Sequence, residues 1–193
     1  MQNSKDYKLK IVNEDNKLVK IHELAYGNYF INNNKKDPNL FPGFDKSNDT
    51  KIIVAEINDN IIGTNSITVD GDLGLPSDKY FKAETNLVRS TTKGLVGNSW
   101  KIAISQQYKC NIGVLFDLIQ KTVELAVDMD IESCLYIFPK KHENVYKKFI
   151  KAETISEKKC NIGDKKDVHL VLMKTDTKET VEHLNQLFTN RKF

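Results

Sequence analysis

Ile102-Ala-Ile104 is a short apolar run that leads into a polar loop with one glycine, Gly113, and a long amphipathic helix follows at once. A strand, a tight loop and a helix start in this order aim unpaired backbone N–H groups and the positive end of a helix dipole at one point. That geometry suits a phosphate or pyrophosphate. An acyl-thioester carrier, coenzyme A or phosphopantetheine, is the ligand it suggests first. Other reactive side chains have plainer readings. Cys110 lies in the loop, but no histidine is evidently placed to activate it, which makes it a passive thiol. His142 is either a base or phosphate contact, or a surface histidine among lysines. His22, His169 and His183 occupy helix or strand positions and read as structural or exposed.

Composition narrows the classes. A chain of 193 residues with 39% hydrophobic and 28% charged side chains reads as one soluble globular domain over 1–193, its core about 7–173. No run approaches the roughly 18 apolar residues of a membrane span. Met1-Gln-Asn-Ser-Lys-Asp-Tyr7 has no apolar centre, so no secretory signal is expected. Cys110, Cys134 and Cys160 are an odd set without metal-ligand spacing; reduced thiols in a cytoplasm and no metal site are the expectation. The net charge is +3. Between Pro139 and Cys160 there are seven lysines against three glutamates, so the remainder is near neutral. This segment is a solvated face or a surface for an acidic partner. Nucleic acid is not expected, because no aromatics interleave with the lysines.

The elements that must position these residues follow from periodicity. Tyr7–Val12 reads as a strand and Leu18–Phe30 as a helix, with Leu24 and Tyr26 among its apolar positions. Asn32–Asp49 is loop. Lys51–Ile57 and Ile61–Val69 form a hairpin around Asn58-Asp-Asn60. Gly71–Ala83 is turn-rich, and Val88–Ser105 reads as one or two strands broken at Gly94 and Gly97. A helix from about Ile112 to Met129 buries Leu115, Leu118, Ile119, Val123 and Ala126. Ser133–Phe138 is a strand, and a short helix carries Val145, Tyr146 and Phe149. Val168–Met173 is a further strand, and a helix of about 176–190 opens on Asp176 with Glu179. Lys109-Cys-Asn-Ile-Gly113 recurs as Lys159-Cys-Asn-Ile-Gly163, but only the first copy opens a helix. The order defines an α/β fold with a mixed central sheet and helices on both faces.

Four segments then carry a family likeness. Ile52-Ile-Val-Ala-Glu-Ile-Asn-Asp-Asn-Ile-Ile-Gly-Thr64, Gly74-Leu-Pro-Ser-Asp-Lys-Tyr-Phe81, Asn98-Ser-Trp-Lys-Ile-Ala-Ile104 and Pro139-Lys-Lys-His-Glu-Asn-Val-Tyr146 resemble, in order, four motifs of one group. That group is the GNAT acyltransferase superfamily, in its N-acyl amino acid synthase branch, which is related to autoinducer synthases. The likeness spans roughly Ile52–Ala152.

What the resemblance implies is an N-acyltransferase with a GNAT-like sheet. The amine of an amino acid or similar small acceptor would attack an acyl thioester on coenzyme A or an acidic acyl carrier protein. The thioester is a co-substrate, and no permanently bound cofactor is implied. Backbone groups of Ile102, Ala103 and Ile104 would hold the thioester arm. N–H groups of Lys109, Cys110, Asn111, Ile112, Gly113 and Val114 would hold the phosphate end. Tyr146 resembles the tyrosine that protonates the leaving thiolate; a phenol titrates near 10 in water and is a donor at neutral pH.

The chain also departs from the pattern. The strand glutamate falls at Asn98, which orients an amine or water but is no base. The arginine becomes Lys101, without its bidentate fork. Trp100 replaces a serine, and Lys151-Ala152 replaces a glycine-phenylalanine. Glu56 and Glu84 are the nearest carboxylates that can take over as base. Three functions fit: a transferase for long acyl chains, an acetyl-coenzyme A-dependent N-acetyltransferase, and a non-catalytic binder of acyl carrier or coenzyme A.

Overall fold

The computed structural model describes residues 6–12, 15–29, 43–162 and 165–189. The strands are β1 (Lys8–Val12), β2 (Thr50–Ile57), β3 (Asn60–Val69), β4 (Leu95–Ile104), β5 (Ile131–Pro139), β6 (Glu153–Ile162) and β7 (Lys165–Asp176). The helices are α1 (Asp15–Tyr29), α2 (Asp78–Thr91), α3 (Ile112–Asp128), α4 (Glu143–Ile150) and α5 (Thr177–Thr189). Single 3-10 turns cover Phe44–Lys46, Gln106–Tyr108 and Lys140–His142. The expected loop lies outside the described residues from Asn32 to Pro42, as do Phe30, Asn190 and Gly163, which ends the second repeat copy.

The seven strands form one mixed sheet in the order β1-β2-β3-β4-β5-β7-β6. β4 and β5 are parallel, whereas β1–β2, β5–β7 and β6–β7 are antiparallel. The β2–β3 hairpin turns on Asn58 and Asp59, both at positive φ (45° and 61°). That pair defines a type I′ turn, whose twist matches the strands it joins.

The chain divides into two compact units, each made of two separate stretches. The first runs as far as Ser66 and resumes over Lys101–Thr122. Here Leu18 and Ile21 of α1 pack with Val12, Ile52, Val54 and Ile61. Gly63 lets α3 approach β3: a Cβ at that position would lie 3.0 Å from Leu118 Cδ1 and 3.1 Å from Val114 Cγ1. This accounts for the glycine of the Ile-Gly-Thr motif, and Thr64 Oγ1 donates to Ile53 O at 3.0 Å.

The second unit comprises Ile67–Trp100 and the chain from Val123 onward. On one face of its sheet Leu135, Leu170 and Leu172 pack with Leu75, Phe81 and Val88 of the α2 region. The intervening residues of β5, Cys134, Tyr136 and Phe138, point to the opposite face, where Tyr146 of α4 stacks on Phe138. α2 and α4 therefore cover opposite faces.

The structure corrects the sequence reading in three places, the first being β6, where no strand is expected. Residues 78–91, expected as turn and the start of a strand, are helix α2. β4 is one strand that passes unbroken through Gly97. A Cβ there would come within 2.5 Å of Ile131 Cδ1, so this glycine makes room for a neighbour and does not end the strand.

Candidate active site

β4 carries the residues that the sequence ranks first. Asn98 is fully buried (0% exposed). Its Oδ1 accepts from the Ser77 N–H at 2.7 Å. Its Nδ2 donates to Ser99 O and Leu135 O, each at 2.9 Å. Both amide hydrogens and the oxygen are thus engaged with backbone. Two residues on, the Trp100 indole N–H donates to Thr68 Oγ1 at 2.9 Å.

Lys101 interrupts the regular strand with φ 60°, a left-handed conformation unusual for a side-chain-bearing residue. Its ammonium contacts both carboxylate oxygens of Asp45, at 2.6 and 2.7 Å. Asp45 Oδ2 also lies 2.9 Å from His22 Nε2. The Lys101 side chain is only 9% exposed. Burial pushes its ammonium below the ordinary lysine range, with Asp45 opposing. For Asp45 burial opposes ionisation, but the contacts with His22 and Lys101 outweigh it and lower the carboxyl. Sequence reasoning missed this cluster, because its members are 23 and 56 residues apart and Asp45 sits in a polar run that reads as plain loop.

Beyond Lys101, Ile102, Ala103 and Ile104 complete β4, and the α3 start follows in the same unit. There the backbone donors are engaged locally. Asn111 Oδ1 accepts from the Gly113 N–H at 3.1 Å. The Ile112 N–H donates to Cys110 O, and the Val114 N–H to Asn111 O. Asn111 is therefore an N-cap for α3. Lys109, Cys110, Asn111 and Ile112 are exposed, whereas Val114 is buried. In the same unit the Tyr7 phenol donates to Asp117 Oδ2 of α3 at 2.8 Å.

In the second unit Tyr146 is buried, its ring 3.6 Å from Phe138 and nearly parallel to it. α4 opens on Glu143, which accepts from Thr154 Oγ1 and pairs with Lys147 at 2.8 Å and Lys140 at 2.9 Å. The hydrogen bonds from Lys147, Thr154 and Lys140 hold its carboxyl at about 2. The helix ends on Lys151 in the left-handed region, φ 54°, with its N–H bonded to Tyr146 O. Asn98, in register with Leu135, faces α2, whereas Tyr146 lies on the α4 face. The sheet separates the two.

The carboxylates considered as replacement bases are held by lysines. Glu56 pairs with Lys10 and Lys17, and Glu84 with Lys158 at 2.6 Å. The Lys10 and Lys158 hydrogen bonds lower their proton affinity. His142 and Cys110 are exposed, and His183 Nε2 lies 3.0 Å from Lys148 O. Among the described residues no three His, Cys, Asp or Glu side chains form a metal-binding group, and no helix is long and apolar enough to cross a membrane.

A sheet of this order, with its parallel β4–β5 pair and a tyrosine on the helix after β5, defines the GNAT acyltransferase fold. The structure of FeeM, an N-acyl amino acid synthase from uncultured soil microbes, matches with TM-score 0.78 and 16% identity, over 94% of this chain and 97% of that one. Escherichia coli ElaA matches with TM-score 0.63 and 13% identity, over 88% and 99%. An acetyltransferase of the GNAT family from Streptococcus pneumoniae matches with TM-score 0.56 and 15% identity, over 88% and 99%. The model of the family described as N-acyl amino acid synthase FeeM matches residues 20–176, and the chain belongs to that family. No curated protein matches the sequence.

Proposed function

We propose that the protein transfers an acyl group from a thioester to the amine of an amino acid or a similar small acceptor. The amine lone pair attacks the thioester carbonyl, a C–N bond forms and the C–S bond breaks. The departing thiolate takes a proton from the Tyr146 phenol. The proton of the new amide nitrogen leaves to water, which returns one to the Tyr146 phenolate, because Asn98 is no base and Glu56 and Glu84 are neutralised by lysines. Backbone groups of Ile102–Ile104 take the thioester arm, and those of Lys109–Val114 its phosphate end in exchange for the local hydrogen bonds they make in this structure. Asn98 acts as a positioning residue that holds α2 against β4.

The observation that carries this reading is the place of Tyr146. The parallel β4–β5 register ends at Ser99–Tyr136, and Tyr146 stacks on Phe138, two residues past that end. The donor is coenzyme A or phosphopantetheine on an acyl carrier protein. Exposed Lys141, Lys148, Lys151 and Lys159 support an acidic carrier. The thioester is a co-substrate with no resident cofactor, and the cytoplasm is where such donors occur.

A second reading, a non-catalytic acyl-carrier binder, is favoured by one observation: every polar group of the Asn98 side chain is committed to backbone. Mass spectrometry of lipid extracts after expression separates the two. Transfer yields an N-acyl product that falls about a hundredfold or more in Tyr146→Phe. Tight carrier binding without product from any donor or amine establishes the binder.

A further inference from the structure

α4 carries Tyr146, and at eight residues it is too short to hold its own shape and place in water. Contacts at its two ends do so instead. At the start, the buried Glu143 carboxylate accepts from Thr154 Oγ1 of β6 and pairs with Lys140 at 2.9 Å and Lys147 at 2.8 Å. One side chain thus ties the first turn to a sheet strand, to the 3-10 turn before the helix and to the helix's own next turn. At the other end, the carbonyls of the last turn have no partner within the helix. α5 supplies partners. His183 Nε2 lies 3.0 Å from Lys148 O, and because a carbonyl only accepts, Nε2 carries the proton. Thr180 Oγ1, which lies 2.7 Å from Asp176 O, is also 3.3 Å from Ile150 O.

Tyr146 lies between these two fastenings, its ring stacked on Phe138 at 3.6 Å with 10° between the planes. Stacking sets the plane of a ring more firmly than its place within that plane. Hydrogen bonds at the helix ends are directional and supply what stacking does not. We propose that Glu143 and His183 are positioning residues for Tyr146: by fastening the two ends of α4 they hold its phenol where it can protonate the departing thiolate. The proposal goes beyond the acyl-transfer reading and rests on it.

The test is acyl transfer to pooled amino acids from two kinds of donor. One is the acetyl and lauroyl thioesters of pantetheine, whose alkyl thiolate needs a proton to leave. The other is the para-nitrothiophenol thioesters of the same acids, whose thiolate leaves without one. Wild type, Glu143→Ala, His183→Ala, Tyr146→Phe and the double variants are compared, each verified as folded by thermal melting. Each alanine change is expected to lower kcat about tenfold or more on the pantetheine thioesters, with KM unchanged. On the nitrothiophenol thioesters neither changes kcat. In the Tyr146→Phe background neither costs anything further, because the phenol they position is gone. Glu143→Gln keeps an acceptor for Thr154, and His183→Gln keeps a donor for Lys148 O, so both lie between wild type and alanine. These two decide the matter if an alanine variant does not fold. Equal losses on both donors, or undiminished losses in the Tyr146→Phe background, make the two residues supports of the fold alone and overturn the proposal. Unchanged kcat in the single variants, with kcat lost in Tyr146→Phe, overturns it and leaves acyl transfer standing. Full activity in Tyr146→Phe overturns the role of that phenol, and no product from wild type overturns acyl transfer itself; the proposal falls with either.

Discussion

The side-chain oxygen of Asn98 accepts a hydrogen bond from the Ser77 N–H at 2.7 Å, and so joins the middle of β4 to the start of α2. Removing this amide takes the acceptor from the Ser77 N–H and one donor from each of the Ser99 and Leu135 carbonyls. Each such group costs about 1–3 kcal/mol. Asn98→Ala is expected to lose about 3 kcal/mol in urea unfolding. Asn98→Asp restores the acceptor for Ser77 but not the two donors, and it buries a charge, so it should be no more stable. Faster acyl transfer by Asn98→Asp would show that this position serves the acceptor amine directly.

Asn111 gives an opposite pair of expectations. Its side chain caps α3 by accepting from Gly113, and on the proposed reading it competes there with the phosphate end of the donor. Asn111→Ala should cost about 1 kcal/mol of stability. It should also lower KM for an acyl-coenzyme A donor severalfold while leaving kcat unchanged. A raised KM would instead make the Asn111 amide itself a donor contact.

The start of α4 predicts an acid dependence. Glu143 is held at about 2 against an ordinary 4.5. A carboxyl depressed in the folded state contributes its full stabilisation above its unfolded value and loses it as pH falls towards the folded one. The difference in Tm between wild type and Glu143→Gln should therefore be constant above pH 5, shrink below about 4.5 and vanish near about 2. A difference unchanged across that range would remove the carboxylate from the account of α4 stability.

Lys151 closes α4 at φ 54°, in the left-handed region that favours glycine. A left-handed residue with a side chain costs about 1 kcal/mol relative to glycine. Lys151→Gly should raise Tm by about 3 °C. A lowered Tm would mean that the lysine side chain stabilises the helix end through contacts of its own.

How much of this was legible in the sequence depends on the range of the interactions. The β2–β3 hairpin and α3 follow from local rules, a two-residue turn of Asn and Asp and an apolar stripe of helical period. α2 was hidden because only Phe81, Thr85 and Val88 are buried along it, and its backbone leaves helical geometry at Phe81 (φ −132°, ψ 43°). Its Ser and Thr residues are weak helix formers, so tertiary packing overrides propensity there. Within the candidate site, Tyr146 stands out in the sequence because it follows a short motif after a strand. The commitment of Asn98 was not readable, since its partners at Ser77 and Leu135 lie 21 and 37 residues away. The stacking of Tyr146 on Phe138 was equally silent: an alternating aromatic pair in a strand looks the same whether a helix tyrosine covers it or not.

Neither compact unit is a single stretch of chain: the first begins before Ser66 and is completed only by Lys101–Thr122. During synthesis its opening strands and α1 must wait for α3, whose Val114 and Leu118 fill the space above Gly63. The order of emergence from the ribosome therefore differs from the order in which packing can close. A nascent chain cut short at residue 100 presents the bare Gly63 face to solvent.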